Sequence, residues 1–125
     1  MNAKLGMMIG LSVLIILAGC TQNTVPPGKY TEFAQCLTAK GVVEYGAYWC
    51  QHCAKVKAQF GDSFKYVNYV ECDPKGTNAQ PQLCIDKGIE AYATFIFPDG
   101  TRLVGEPTMQ ELSNASGCAL PPEGE

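Results

Sequence analysis

The sequence predicts one layered α/β domain whose elements follow the order helix, strand, helix, strand, helix, strand, strand, helix. Two observations favour this class of fold. Short runs rich in aromatic and β-branched residues alternate with segments in which apolar residues recur at helical spacing. Near the carboxyl end, the turn Pro98-Asp99-Gly100 separates two short strands, which is typical of a hairpin.

The boundaries of these elements follow from residues that start and stop helices. A glycine follows each predicted helix, and glycine most easily adopts the backbone conformation at a helix end. Pro81 opens the third helix, and the capping box Thr108-Met109-Gln110-Glu111 opens the last one. In chain order, the predicted elements are a helix over 30–40, a strand over 42–47, a helix over 50–60, a strand over 64–71, a helix over 81–87, strands over 94–97 and 101–104, and a helix over 108–116.

The amino-terminal segment has the pattern of an export signal. Lys4 precedes an apolar stretch over 5–18, which is shorter than the roughly 20 residues that a membrane-spanning helix needs. The stretch ends in Leu17-Ala18-Gly19-Cys20, which resembles the bacterial lipobox and predicts cleavage before a lipidated Cys20. The alternative is an uncleaved anchor helix that ends in an unmodified cysteine.

Four segments are therefore expected. Residues 1–19 form a lipoprotein signal peptide, and 20–28 form a lipidated amino terminus with a flexible, proline-bearing tether. Residues 29–118 form the folded domain, and the proline-rich stretch 119–125 forms a loose tail. Several acyl chains on one residue give a stable membrane anchor, so the domain is expected at the extracytoplasmic face of a bacterial membrane, as a periplasmic or cell-surface lipoprotein.

Cys50 and Cys53 stand two residues apart at the start of the second predicted helix. A sulfur at a helix amino terminus faces unpaired N–H groups and the positive end of the helix dipole, which makes Cys50 the predicted nucleophile. Cys53, one turn further along, is the predicted resolving thiol. The imidazolium of His52 would favour a neighbouring thiolate and make the disulfide more oxidising, and Trp49 would shield the pair from water.

Glu44 is the one charged residue in the predicted strand over 42–47. A carboxylate in a central strand is costly unless it is paired or protonated. Glu44 is therefore either a solvated group at an edge or a buried proton acceptor with a raised pKa, and we favour the second interpretation because such acids concentrate at working sites. Its predicted role is to move the proton of the resolving thiol.

Other polar and aromatic side chains receive a structural interpretation. Lys55 and Lys57 are expected to form the solvated face of the second helix. The tyrosines within 64–71 are expected to be core or strand-face residues, without a role in binding a ligand.

The succession of strand, small-residue turn, Trp-Cys-X-X-Cys and helix resembles the thioredoxin superfamily, with Glu44 in the place of its buried acid. The stretches 45–50, 69–76 and 88–92 resemble the thioredoxin-like domain associated with bacterial homologues of vitamin K epoxide reductase. This resemblance covers about residues 29–118. It implies a central four-stranded mixed sheet with helices on both faces, and electron transfer from folding substrate proteins to a membrane reductase. No bound cofactor is expected.

The chain departs from this family at Tyr92-Ala93-Thr94, because Ala93 stands where the family has a cis-proline that faces the redox pair. A cis bond before a residue other than proline costs about 2.5 to 4 kcal/mol, so a trans bond and a reshaped loop are expected. These three residues, with Trp49, remain the candidates for substrate contact. The replacement of the proline by Ala93 would also open access to the sulfurs for a metal or a cluster.

The chain contains seven cysteines, and a lipidated Cys20 leaves an even number in a chain exported to an oxidising compartment. With Cys50 paired to Cys53, three connectivities remain for the other four cysteines. The resemblance favours Cys72 with Cys84 as a structural disulfide. The remaining structural pair, Cys36 with Cys118, follows by elimination, although the first and last helices of this fold usually lie on opposite faces of the sheet.

The leading interpretation is a membrane-anchored, extracytoplasmic thiol-disulfide oxidoreductase that forms or isomerises disulfides in cysteine-containing exported proteins. Its expected partner is a membrane oxidoreductase similar to vitamin K epoxide reductase, and the chain itself is expected to be a monomer. One alternative is a non-catalytic module that binds partner proteins. Another is a tetrahedral zinc site formed by Cys50, Cys53, Cys72 and Cys84. With 9 basic and 12 acidic side chains and no basic patch, nucleic acid is not an expected partner.

Overall fold

A computed structural model describes Gly19 and residues 24–124. The predicted lipidation site Cys20 and the signal segment before Gly19 lie outside the described residues. Within the described part, no helix combines the length and the apolar character needed to cross a bilayer.

The described residues form α-helices, β-strands and one 3₁₀ helix in the predicted order. The capping box at Thr108 and Glu111 is present, and Gly117 ends the last helix in the left-handed conformation. In chain order, the elements are α1 (Thr31–Ala39), β1 (Val43–Gly46), α2 (Gln51–Phe60), the 3₁₀ helix (Gly61–Tyr66), β2 (Tyr69–Glu71), α3 (Pro81–Asp86), β3 (Thr94–Ile96), β4 (Arg102–Val104) and α4 (Met109–Ser116).

The strands form a mixed sheet in the order β2-β1-β3-β4. β1 pairs in parallel with β2 and antiparallel with β3, which pairs antiparallel with β4. The register sets Glu44 of β1 opposite Tyr69 on one side and Phe95 on the other. β1 is thus an interior strand, which confirms the predicted four-stranded mixed sheet.

Helices cover both faces of the sheet. The larger core packs apolar side chains of α1, α2 and α4 against Phe95 and Phe97, whereas α3 contributes Cys84 to a smaller core with Tyr45 and Val70. Successive strand residues point to opposite faces. Glu44 therefore faces the larger core, on the same side as α2, and the layered architecture agrees with the predicted fold class.

The predicted strand over 64–71 is wrong in its first half. Residues 61–66 form a 3₁₀ helix, and only Tyr69–Glu71 is a strand. The aromatic residue that suggested a strand, Phe64, instead packs edge-to-face on Phe60 and Tyr69, with ring centroids 6.1 Å and 5.9 Å apart. Packing of an aromatic side chain against the core is compatible with either local structure, so composition alone could not decide between them.

Two disulfides cross-link this fold, one between its first and last helical segments and one between the residue after β2 and α3. Cys72 is bonded to Cys84, and Cys36 of α1 is bonded to Cys118, which follows α4. The expectation that α1 and α4 lie on opposite faces is wrong, because both contribute to the larger core and the two Cα atoms are 5.9 Å apart. A bridge with a sequence separation of 82 residues stabilises the fold by about 4 to 5 kcal/mol in the chain-entropy picture.

The folded unit extends beyond both expected boundaries. At its start, the Gly28 N–H donates a hydrogen bond to Asp62 Oδ1 at 2.9 Å, so the end of the expected tether is attached to the domain. At its other end, Leu120 packs against the larger core. The described part of the tail therefore begins as a packed segment, because its leucine covers apolar surface.

Candidate active site

Both cysteines of the motif lie at the amino end of α2 as free thiols. Cys50 is the N-cap residue, and its sulfur accepts a hydrogen bond from the Cys53 backbone N–H at 3.5 Å. An N–H group directed at a sulfur favours negative charge on that sulfur. The side chains of Cys50 and Cys53 are 6% and 2% exposed, so Cys50 is the outer sulfur of the pair.

Cys53 is the inner thiol and is held protonated. Burial raises the pKa of Cys53 to about 12, and the adjacent Cys50 and the charge of Glu44 add to this effect, while the Ala47 backbone amide opposes it. Gly46 gives the sulfur its space, since a Cβ at that position would lie 2.7 Å from Cys53 Sγ. Because only the thiolate is nucleophilic, Cys53 needs a base before it can attack a disulfide.

Glu44 is the candidate for that base, because its charge acts on Cys53. Its side chain is fully buried, and among the described residues neither carboxyl oxygen has a hydrogen-bond partner. Burial raises the pKa of Glu44 to about 8, against a smaller opposing effect of Lys57. The interpretation of Glu44 as a solvated edge residue is wrong, because β1 has a neighbour on each side. A carboxyl with this pKa both accepts and donates a proton near neutral pH.

Lys57 is exposed on α2, as expected, and its ammonium group also lies near aromatic rings. Its ammonium group lies 5.1 Å from the ring centroid of Phe64 and 5.0 Å from that of Tyr69. These are distances at which a cation is attracted to an aromatic face. Lys57 is thereby held on the side of the helix where its charge lowers the pKa of Glu44.

The outer rim of the site is aromatic. Tyr48 and Trp49 are each 58% exposed beside Cys50, and the Trp49 ring meets Tyr92 edge-to-face at 5.9 Å between centroids. The indole N–H of Trp49 donates a hydrogen bond to Asp73 Oδ2 at 2.7 Å. This fixes the indole beside the dithiol, with an apolar surface open to an approaching polypeptide.

The loop before β3 differs from the expectation. The Tyr92–Ala93 bond is cis, so the expected trans bond is wrong. Ala93 is fully buried, its carbonyl accepts a hydrogen bond from the Gly105 N–H at 2.8 Å, and the Thr94 hydroxyl donates to the Ala91 carbonyl at 2.7 Å. The path of this loop thus follows its tertiary contacts. It does not follow the preference of an isolated alanine for a trans bond.

His52 pairs with a residue that the sequence did not single out. His52 Nδ1 lies 2.6 Å from Glu106 Oε1, and the Lys55 ammonium lies 3.1 Å from the same oxygen. The hydrogen bond from His52 and then that from Lys55 lower the pKa of Glu106. The imidazole is therefore held at a carboxylate across the mouth of the site. Glu106 had no local signal, since it stands 54 residues from His52.

A second series of hydrogen bonds joins polar groups of β2 and of the turn that follows it. The Tyr69 hydroxyl donates to Glu71 Oε2 at 3.0 Å, and Glu71 Oε1 accepts the Asp73 N–H at 2.8 Å. Asp73 also holds Trp49, so these hydrogen bonds connect β2 with the rim of the site. Glu71 is 5% exposed. Glu71, like Glu44, is an acid within a predicted strand. From the sequence, only Glu44 is singled out, and the tyrosines near Glu71 are assigned a packing role.

The zinc alternative requires four free thiolates. Cys72 and Cys84 are bonded to each other, so two of the four proposed ligands have no thiolate to offer in this form of the protein. Among the described residues, no cluster of three or more histidine, cysteine or acidic side chains has the arrangement of a metal site. Cys50 and Cys53 themselves are free thiols.

A thioredoxin-like α/β fold with a free Cys-X-X-Cys pair at a helix N-cap is the architecture of thiol-disulfide oxidoreductase domains. No protein-family model matches the chain. The chain is 38% identical over 91 residues to thiol-disulfide oxidoreductase LTO1 of Arabidopsis thaliana. That match takes in 70% of this chain but only 24% of the relative. It supports a relationship to thiol-disulfide oxidoreductases.

Proposed function

We propose that this protein exchanges disulfides with exported proteins, with Cys50 as the attacking thiol, Cys53 as the resolving thiol and Glu44 as the carrier of the resolving proton. Two observations support the proposal. The inner thiol next to the Cys50 sulfur at the helix end has a raised pKa, and the buried Glu44 carboxyl, whose charge acts on that thiol, has no hydrogen-bond partner among the described residues. The relationship to LTO1 supports the same chemistry.

The oxidising half-reaction uses the Cys50–Cys53 disulfide. A substrate thiolate attacks Cys50, the bond between the two enzyme sulfurs breaks, and Cys53 leaves as a thiolate that takes the proton of Glu44. A second substrate thiolate then attacks the substrate sulfur of the mixed disulfide and expels Cys50. The substrate loses two electrons, and the enzyme dithiol gains them. In the reverse direction, Glu44 accepts the proton of Cys53 when Cys53 attacks the mixed disulfide.

An electron acceptor must regenerate the disulfide after each oxidising cycle. We propose a membrane oxidoreductase similar to vitamin K epoxide reductase, because the resemblance of 45–50, 69–76 and 88–92 points to a domain of that kind. Lipid attachment at Cys20 would keep the dithiol near such a partner. The two disulfides outside the motif support an oxidising, extracytoplasmic location, since such bonds seldom persist in a reducing compartment.

The direct test is catalysis of disulfide exchange in a reduced, scrambled substrate protein. The full chain should restore the native disulfides of the substrate faster than free glutathione does at the same thiol concentration. A rate equal to that of glutathione would favour the alternative of a binding module without turnover.

The pairing of His52 with Glu106 adjusts the oxidising power of the site. In Glu106→Gln, the imidazolium and Lys55 lose their counter-charge, so they favour the dithiol form of the pair more strongly. We expect the equilibrium with glutathione to shift about two- to threefold towards a more oxidising disulfide at acidic pH, the size typical of an exposed charge contact.

The control for this effect is the same substitution in a His52→Ala background. There the Glu106→Gln shift should be reduced to what Lys55 alone supplies. An equal shift with and without His52 would contradict the role of the pair.

The reduction potential of the Cys50–Cys53 pair decides the direction of the reaction, because a value near about −120 mV marks a donor of disulfides and one near about −270 mV a reductant. The proposed function as an oxidase or isomerase requires a reduction potential well above about −270 mV.

A further inference from the structure

We infer that Tyr69 is a positioning residue for the resolving step, in which its hydroxyl hydrogen-bonds the Cys53 sulfur while that sulfur is a thiolate and returns to Glu71 when it is not. The inference deepens the proposed function and rests on it. It assigns a role to a hydrogen-bonded pair, the half-buried Tyr69 and the buried Glu71, that the exchange chemistry of Cys50, Cys53 and Glu44 leaves unused.

Strand register places the tyrosine beside the inner sulfur. Tyr69 is the partner of Glu44 across the parallel pair, so both side chains point to the face that α2 covers. A Cβ at Gly46 would lie 2.7 Å from Cys53 Sγ and 3.3 Å from the Tyr69 hydroxyl oxygen. Both atoms therefore pack into the volume that a side chain at Gly46 would need, so they lie close to each other beside this residue.

The ring is fixed while the hydroxyl hydrogen is free to turn. Phe64 packs edge-to-face on the Tyr69 ring at 5.9 Å between centroids, and the Lys57 ammonium lies 5.0 Å from its centroid. Burial, and then the hydrogen bond to Glu71, raise the pKa of the Tyr69 phenol above its usual range. The group thus stays a phenol and a hydrogen-bond donor at neutral pH.

Two acceptors compete for that donor. Glu71 Oε2 accepts it at 3.0 Å in the dithiol form. When Cys53 loses its proton to Glu44, a second negative acceptor forms beside Gly46, and a hydrogen bond to a charged sulfur is stronger than one to a neutral thiol. Rotation about the phenolic C–O bond turns the donor away from Glu71 and towards the side of the ring on which Gly46 and Cys53 lie. The titratable and charged groups facing the hydroxyl are Glu44 from β1, Cys53 and Lys57 from α2, and Glu71 from β2.

The chemical step itself is unchanged by this role. Cys53 gives its proton to Glu44, its sulfur forms a bond to Cys50, and the bond between Cys50 and the substrate sulfur breaks. The substrate sulfur leaves with the electron pair and takes a proton from water. Tyr69 neither gains nor loses a proton overall, because its hydrogen bond only stabilises the thiolate between the first two events.

The test uses Tyr69→Phe, which keeps the ring and its contacts with Phe64 and Lys57 and removes the hydroxyl. The reduced full chain is mixed with an aromatic disulfide that releases one coloured thiolate when Cys50 attacks and a second when Cys53 resolves. We expect the second phase to slow about tenfold, the loss typical of one hydrogen bond to a charged group, and its rise with pH to move to higher pH. The first phase should stay within about twofold of the unsubstituted chain.

Tyr45→Phe is the matched control, because Tyr45 is a buried tyrosine of β1 whose side chain belongs to the smaller core on the opposite face. It should change neither phase. Glu71→Gln removes the charged competitor for the hydroxyl, so its second phase should be at least as fast as that of the unsubstituted chain.

Three results would overturn the inference. They are a Tyr69→Phe second phase with unchanged rate and pH dependence, equal slowing by Tyr45→Phe, and a slower second phase in Glu71→Gln. Unfolding by urea shows whether each variant remains folded. A Cys50→Ser chain that still gives the first phase would overturn the proposed function instead, so the two failures are distinguishable.

Discussion

Cys50→Ser is expected to reduce disulfide exchange to the rate of free thiols in the buffer, because the outer sulfur at the N-cap of α2 is the atom that forms the mixed disulfide. Cys53→Ser is expected to behave differently. Cys50 still attacks, but no resolving thiol follows, so a covalent complex with the substrate accumulates. The measurement is the substrate refolding rate, together with non-reducing electrophoresis and mass spectrometry of the trapped complex.

Each serine variant controls for the other. Both remove one small buried sulfur from the same turn of helix, so similar effects on stability are expected and a difference in outcome reports chemistry. If Cys53→Ser formed no trapped complex while Cys50→Ser did, the assignment of the two sulfurs would be reversed. Exchange that survived in both variants would place the reaction elsewhere in the chain.

Glu44→Gln is expected to slow resolution by Cys53 about ten- to a hundredfold near neutral pH, the lower range for loss of a positioned base. The amide has nearly the same shape but cannot accept the proton of the inner thiol. The first attack by Cys50 should change far less. The measurement is the two-phase reaction with the aromatic disulfide, and Glu32→Gln, an exposed acid of α1, is the matched control and should leave both phases unchanged.

Glu44 should also make stability depend on pH. Because its pKa is about 8 when folded and 4.5 in the reference state, the folded protein holds the proton more tightly, and stability falls as pH rises between these values. By pH 7 the loss relative to acidic pH is about 3 kcal/mol. Urea unfolding of the reduced protein from acidic to neutral pH should show this loss, and Glu44→Gln should lack it. Parallel pH profiles of the two proteins would mean that charging Glu44 does not destabilise the folded state, which would contradict its raised pKa.

Local patterns in the sequence were enough to predict most of the fold. The Cys50-to-Cys53 spacing, the capping box at Thr108 and the glycines after the helices each act within a few residues, so they are visible without tertiary structure. The position of Glu44 in the sequence did not decide whether its side chain is buried. Its pattern allowed an edge or a buried site, and the pairing of β1 on both sides selects the buried one.

Three features of the site depend on contacts between separate elements and could not be predicted. Glu106, which follows the edge strand β4, contacts His52 of α2. Tyr69 lies next to Gly46 and Cys53 only because β2 pairs with β1. The cis bond before Ala93 contradicts the preference of the isolated residue, because burial and the hydrogen bond from Gly105 set the loop. In each case the deciding contact joins segments that are far apart in the chain.

Selective alkylation of the reduced protein tests most directly whether the outer and inner sulfurs differ as proposed. The full chain is treated at neutral pH with less than one equivalent of an alkylating reagent, and the modified cysteine is identified by peptide mass spectrometry. Label on Cys50, with Cys53 reacting only when the pH is strongly raised, is the expected result. Label that appears first on Cys53, or equally on both sulfurs, would contradict the proposed division of roles.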